Sequence, residues 1–395
     1  MNNIRRVYFD HMANTPPDPR VIEAMLPHLK GSYGNPLNIH DFGQATLAAI
    51  EEARGKVAKL IGANSSEIIF TSCGSEANNF AIKGIAKAYE KKGKHIISSS
   101  IEHFSVLYQL KELEKEGFKV TYLPVDKFGL VDPQAVVAAI TPETILVTIT
   151  HASNEIGTIE PIAEISNAIR LRTLDIGHEI HFHTDAIQTA GNIPVNVNEL
   201  KVDALSLSAN QFYGPTGVAA LYLRKGTRIL PLIIGGTQEE GKRAGSHNIP
   251  GIVGMGKSAE LALAEMDERA KKLIPLRDKL LKTLPDKISD CFVTGHPSQR
   301  LPGHTSVYIK FIEGESMSMF LNMEGIAVST GSACVSKALK ASHVVLAIGV
   351  NEEDVHGSLV LSLGKENTEA DVDLFLEKFP PIVERLRQMS PLRKK

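Results

Sequence analysis

The chain predicts an α/β fold, in which a mostly parallel sheet covered by helices on both faces is followed by a smaller α/β domain. Short apolar runs rich in β-branched residues recur between residues 68 and 223. Segments of helical periodicity separate several of them. At 395 residues the chain is also long enough to bury two cores. Strands that are apolar on both faces and separated by helices suit a parallel, doubly covered sheet.

The runs lie at residues 68–71, 95–98, 120–125, 145–150, 180–183, 204–208 and 218–223. Between them, residues 77–92 and 162–172 repeat apolar side chains at helical spacing. After Pro250-Gly251 a long helical stretch, about 254–283, is expected to carry the chain into the second domain. That domain ends in an amphipathic segment at 369–387. The expected division is a large domain at 15–255 and a small one built from 1–14 plus 256–395.

Composition narrows the function classes. Lysine and arginine number 43 against 45 aspartates and glutamates, with no long charge block, so no nucleic-acid footprint is expected. No apolar run reaches membrane-spanning length, and the first residues lack the apolar stretch of a signal peptide. A cytoplasmic protein without a membrane partner is the expectation. The cysteines Cys73, Cys291 and Cys334 are widely spaced and odd in number, which suggests neither a disulfide framework nor a zinc site.

Several strand ends carry chemistry-bearing residues. Thr71-Ser-Cys-Gly-Ser-Glu-Ala-Asn-Asn79 leaves a strand and opens a helix. Gly74 permits close backbone approach there, and a helix N-terminus offers unpaired N–H groups to a phosphate. His183-Thr-Asp-Ala-Ile-Gln188 ends another strand, where Asp185 is suited either to a ligand or to capping the following segment. Ser100-Ile-Glu-His-Phe104, Ser153-Asn-Glu-Ile-Gly-Thr158 and Arg243-Ala-Gly-Ser-His-Asn248 are further polar turns. Ser206-Leu-Ser-Ala-Asn-Gln-Phe-Tyr-Gly-Pro-Thr-Gly217 runs from a strand into a Gly-Pro turn, and Val328-Ser-Thr-Gly-Ser-Ala-Cys334 is a loop-like stretch around a cysteine.

Taken in order, these motifs resemble those of the cysteine desulfurases, the IscS/NifS-like branch of the class V aminotransferase family, over nearly the whole chain. The resemblance implies the fold type I architecture of pyridoxal-phosphate enzymes. It implies that Gly74, Ser75, Ser208 and Ser246 contact the cofactor phosphate, with Ser246 donated across a homodimer. It further implies that His103 stacks on the cofactor ring, that Asn154 lies near its hydroxyl, that Asp185 faces its nitrogen and that Gln188 bonds the ring hydroxyl. Cys334 takes the position of the cysteine that receives sulfur as a persulfide. An iron–sulfur cluster scaffold protein, IscU-like, is the implied partner.

Two departures stand out against that resemblance. The family's cofactor lysine is replaced by Gln211, flanked by Asn210 in place of histidine and by Thr216 in place of lysine. An amide nitrogen is neither nucleophilic nor basic, so Gln211 cannot form a Schiff base. Val360 stands where the family has the arginine that clamps the substrate carboxylate, and Lys365 replaces a second arginine. Losing a positioned acid–base group alone removes roughly 10²–10⁴-fold in rate. Ordinary desulfuration of cysteine is therefore expected to be slow or undetectable. Two readings stay open: Cys334 relays sulfur or serves as a candidate cluster ligand for the scaffold partner, or pyridoxal or pyridoxamine phosphate is bound non-covalently with His103 as base. Lys201, Lys225 and Lys242 are the nearest alternative amines outside the motif, and His343 is a cluster-ligand candidate by proximity in the chain.

Overall fold

The computed structural model describes residues 6–31, 33–330 and 341–390. After β1 (Val7–Tyr8) come β2 (Ile68–Thr71), β3 (His95–Ser99), β4 (Lys119–Leu123), β5 (Thr144–Thr150), β6 (His181–Asp185), β7 (Ala204–Ser208) and β8 (Ala219–Leu223). Strands β2 to β8 form one sheet in the order β2-β8-β7-β6-β5-β3-β4. The pairs β4–β3, β3–β5, β5–β6 and β6–β7 are parallel, whereas β8 runs antiparallel to both β7 and β2. Every apolar run read from the sequence lands on a strand of this sheet, shifted by no more than two residues.

Burial explains why these strands lack alternation. All residues of β5, β6, β7 and β8 are buried. Alternate side chains feed two separate apolar layers, Val147 and Phe182 into one and Ile96 and Leu146 into the other. The helices Asp41–Leu60 and Ile162–Ile176 close the first layer; Gly74–Tyr89 and Phe104–Lys115 close the second.

The helix Ile249–Lys287 begins where Asn248 accepts from the Gly251 N–H, with Pro250 in its first turn. Its first half buries Ile252, Met255, Ala259 and Ala262 against the large sheet. Its second half buries Leu273, Leu276, Leu280 and Leu284 in a separate core with β9 (Cys291–Val293), β10 (His304–Ile309), β11 (Ile326–Ala327) and β12 (Ser358–Ser362). The expected boundary at 255/256 thus falls inside one continuous helix, and the packing partner changes between Ala262 and Leu273. Strands β12, β10 and β9 pair antiparallel, β1 pairs parallel with β11, and Val7 and Phe9 enter this second core. The helix Glu369–Met389, opened by a Thr368–Asp371 capping box, covers it.

Candidate active site

The carboxyl ends of β5, β6 and β7 open on a cavity of about 310 Å³, the place where open α/β sheets bind ligands. Gly74, Ser75, His103, Asn154, Asp185, Gln188, Ser208, Gln211 and Val360 all line it. Residues 100 or more apart in sequence meet there because most sit just beyond the ends of strands of the large sheet, while Val360 reaches it from β12 of the second sheet. Ser246 does not: it is exposed, outside the cavity, on the turn before the helix Ile249–Lys287. Cys334 lies outside the described residues.

One end of the cavity is built from the helix Gly74–Tyr89. Its N-cap, Cys73, supplies no side-chain hydrogen bond, so the first-turn N–H groups are left for a ligand. A Cβ on Gly74 would lie 2.3 Å from Ile187 Cδ1, so any larger residue would have to displace the Ile187 side chain at the β6 end. Ser208 donates to Asn210 Oδ1 at 2.6 Å, placing both polar groups on the cavity wall. Glu76 accepts from Ser72 N–H at 2.7 Å and pairs with Arg243 at 2.8 Å, which ties this turn to the segment carrying Ser246.

The middle of the cavity holds a connected polar chain. Asn78 donates to Asp185 Oδ2 at 2.7 Å and to Ser105 Oγ at 2.9 Å. Ser105 in turn contacts His103 Nδ1 through its hydroxyl at 2.8 Å and its N–H at 3.1 Å. With Nδ1 accepting, a neutral His103 carries its proton on Nε2. Asp185 also accepts the Ile187 N–H at 3.0 Å, so it does cap the local turn as well as line the cavity. Burial raises the Asp185 carboxyl, an effect opposed by His103 and by these hydrogen bonds. Gln188 donates to the Met12 carbonyl at 3.3 Å, while its Oε1 is buried without a partner among the described residues. A desolvated carboxylate able to accept from a ring N–H, an amide oxygen able to accept from a ring hydroxyl and an uncapped helix N-terminus able to donate to a phosphate suit a phosphorylated pyridinium ring. The described residues fit such a cofactor.

The far end differs. Gln211 is buried, and its Nε2 donates to the carbonyls of Met12 and Ala13 at 3.0 and 3.3 Å. The 3-10 turn Ala209–Gln211 follows β7, and Tyr213 at φ +64° turns the chain sharply away. Val360 sits in β12 with its backbone paired to Ser329, and its buried side chain meets the cavity. No lysine or arginine lines the cavity among the described residues. Lys201 bonds Asn167, Lys242 pairs with Glu240, and Lys225 is exposed, so none of these amines reaches it. Lys365 is held by Asp18 with its ammonium 4.4 Å from the centre of the Tyr213 ring, and Thr216 is exposed.

Reading the sequence missed several lining or supporting residues. Asn78 and Ser105 join Asp185 to His103, and Asp10, Met12 and Ala13 arrive from the N-terminal segment. The signal for Asn78 was its place one turn into the helix that opens at Gly74; Asp10, Met12 and Ala13 lie in residues 8–16, a segment that also resembles a family motif but was given no role. Cys73 is exposed at the cavity, because an N-cap residue projects out of the helix end it precedes. Cys291 is buried in the second core, and burial pushes its thiol up to about 12. His343 donates through Nε2 to the Glu102 carbonyl at 2.9 Å. Among the described residues no group of three or more histidine, cysteine, aspartate or glutamate side chains is arranged for a metal ion.

Comparison with known proteins agrees with this architecture. The family described as Aminotransferase class-V matches residues 7–375. A protein named cysteine desulfurase IscS from Dictyoglomus turgidum is 52% identical over 389 residues, covering 98% of this chain and 97% of the relative. Another of that name from Methanosarcina thermophila is 51% identical over 391 residues, covering 99% and 95%. A solved structure described as a NifS-like protein superposes with a TM-score of 0.90 at 40% identity, covering 97% of this chain and all of that one. The chain belongs to the class-V aminotransferase family, in its IscS/NifS-like cysteine desulfurase branch.

Proposed function

We propose that this chain serves sulfur mobilisation for iron–sulfur cluster assembly without releasing sulfur from cysteine by the family's usual route. The observation that carries this is the state of residue 211. In place of an amine, the cavity holds a buried amide whose hydrogens are committed to two main-chain carbonyls. Val360 removes the substrate's carboxylate clamp from the same cavity. The two halves of amino-acid handling are lost together, while the phosphate and ring positions remain.

In this reading Cys334 relays sulfur to, or holds a nascent cluster for, an IscU-like scaffold protein in the cytoplasm. The protein acts as a homodimer. Support for the dimer comes from exposed large apolar side chains, among them Tyr33, Phe42, Ile39 at 95% and Ile234 at 86%. Ser246 is exposed on the single chain, as a residue donated to a partner's site must be. Among the described residues no helix is long and apolar enough to cross a membrane.

A second reading is favoured by the intact polar chain: the cavity binds a vitamin B6 phosphate non-covalently. The helix N-terminus with Ser75 and Ser208 holds the phosphate, Asp185 keeps a proton on the ring nitrogen, Gln188 meets the ring hydroxyl and His103 covers the ring face. When bound, the cofactor supplies an electron sink. His103, with Nδ1 engaged by Ser105, is the group able to exchange a proton through Nε2.

The test of the main reading measures cluster assembly on a scaffold protein with inorganic polysulfide, which hands sulfane sulfur to a thiolate and leaves as the shortened polysulfide, as the source, comparing the wild type with Cys334→Ser, beside sulfide release from cysteine. Assembly that depends on Cys334, with little sulfide from cysteine, supports it. Assembly unchanged in Cys334→Ser sinks it.

A further inference from the structure

Val360 is an apolar side chain buried apart from every apolar core. In β12 its neighbours Leu359 and Leu361 enter the second core, so by strand alternation Val360 projects from the opposite face of that sheet. It is 3% exposed, lines the cavity, and belongs to none of the hydrophobic clusters formed by the described residues. Buried aliphatic side chains ordinarily pack against other apolar groups.

The polar groups around Val360 are already engaged. Its own N–H and carbonyl pair with Ser329 at 2.8 and 3.1 Å. Ser306, its partner across β10, has its hydroxyl against Thr294 Oγ1 at 2.7 Å. On the same face of β12, Ser358 donates to the Val355 carbonyl at 2.6 Å and Ser362 accepts from the Met12 N–H at 2.8 Å. The Gln211 amide is taken up by the carbonyls of Met12 and Ala13. Asp10 and Asp185 both line the cavity, whereas no described lysine or arginine does. A ligand carboxylate at this end would find no cation and two carboxyl groups, with neutral amides such as Asn154 as its donors.

We propose that the cavity selects a vitamin B6 phosphate whose amine-derived arm ends in an uncharged, apolar group, and that Val360 makes the choice. The ligand class is then an alkylamine derivative of the vitamin, not an amino-acid derivative. The inference rests on the reading of the cavity as a site for a B6 phosphate. It goes beyond that reading in naming the chemistry of the ligand's second arm and the residue that sets it.

Equilibrium dialysis of the full-length protein against N-(phosphopyridoxyl)ethylamine and, separately, N-(phosphopyridoxyl)-L-alanine tests this, each read by its own fluorescence. The two ligands differ only in a carboxylate against a hydrogen, and neither can link to surface lysines. Bringing an ionised carboxylate against an apolar wall without a cation predicts tighter binding of the ethylamine derivative by about tenfold or more. Val360→Arg should invert the preference, and its binding of pyridoxine phosphate reports that the variant is folded. Val360→Ser, a smaller change that removes the apolar contact and adds a donor, should narrow the preference and serves where the arginine variant does not fold. Equal affinities in the wild type, a preference for the alanine derivative, or a preference that survives in a folded variant, overturn the role of Val360 and leave the B6 site standing if pyridoxine phosphate binds. Binding of none of the three ligands by the wild type overturns the site itself and the inference with it.

Discussion

Replacing Gln211 by lysine asks whether the cavity has kept its shape after losing its anchor. The wild-type amide gives up two hydrogen bonds, to Met12 and Ala13, in this change. At about 0.5–1.5 kcal/mol net each, their loss should lower the stability of the ligand-free protein by roughly 1–3 kcal/mol. The new ammonium is also taken out of water at a position only 5% exposed, which adds to that loss and favours the neutral, nucleophilic amine. Added pyridoxal phosphate should reverse the deficit, since a ligand at 100 times its Kd stabilises the folded state by about 2.7 kcal/mol. Gln211→Lys is therefore expected to gain visible absorbance with pyridoxal phosphate. Borohydride should then fix the cofactor to residue 211, as mapped by peptide mass spectrometry. The wild type should show no such label at any cavity residue. Turnover of cysteine should still be weak until Asn210→His and Val360→Arg are added. A folded Gln211→Lys protein that carries no pyridoxyl group at position 211 would refute the reasoning, because the site assignments all depend on a preserved cavity.

Two further outcomes concern the frame around the site. Glu239 is bonded by Arg54 at 2.6 and 2.9 Å, by His247 at 2.8 Å and by the Phe70 N–H at 2.9 Å. Burial pushes its carboxyl up, but His247 and Arg54 outweigh this and leave it near about 2. A depressed carboxyl stabilises the fold above its ordinary value near 4.5, and that contribution is lost as pH falls towards 2. Glu239→Gln should cost roughly 1.5–3 kcal/mol at neutral pH by removing the buried carboxylate from Arg54, which keeps only Glu51 and the Ile68 carbonyl, and should flatten this acid limb in denaturant titrations. An unchanged acid limb would show that the cluster is not what ties the Ser246 segment down. His183, beneath Asp185, is bonded by Thr148 at 2.8 Å and Ser206 at 3.0 Å, and burial lowers it to about 3. It should stay neutral, with ring resonances that do not move between about pH 8 and 5. Its contribution, present above the ordinary histidine value near 6.5, should fade as pH drops from there towards 3. Titration of this ring near pH 6 would contradict its burial.

How far the sequence went can be judged residue by residue. Each strand of the large sheet was legible because a strand buried on both faces is an unbroken apolar run, and local composition suffices to mark it. Gly74, His103, Asp185, Gln188 and Ser208 were legible as strand-end motifs, and the sheet then brought their side chains to one cavity. The replacement of lysine by Gln211 and of arginine by Val360 is also a fact of sequence alone. What the tertiary structure decided was everything that depends on a second segment arriving. Asn78 and Ser105 became a link between Asp185 and His103 only because two helices on one face of the sheet start side by side. The helix Ile249–Lys287 passes through the expected domain boundary because one apolar stripe runs along both halves and only the core it packs into changes, which periodicity within one helix does not distinguish. Asp10 lies in residues 8–16, a segment that resembles a family motif, but its place in the cavity wall was set by β1, which pairs with β11 and lays it against the ends of strands some 175 residues away. Chemistry that resides in one side chain can be read along the chain, whereas a missing partner is visible only once the fold has removed water from around it.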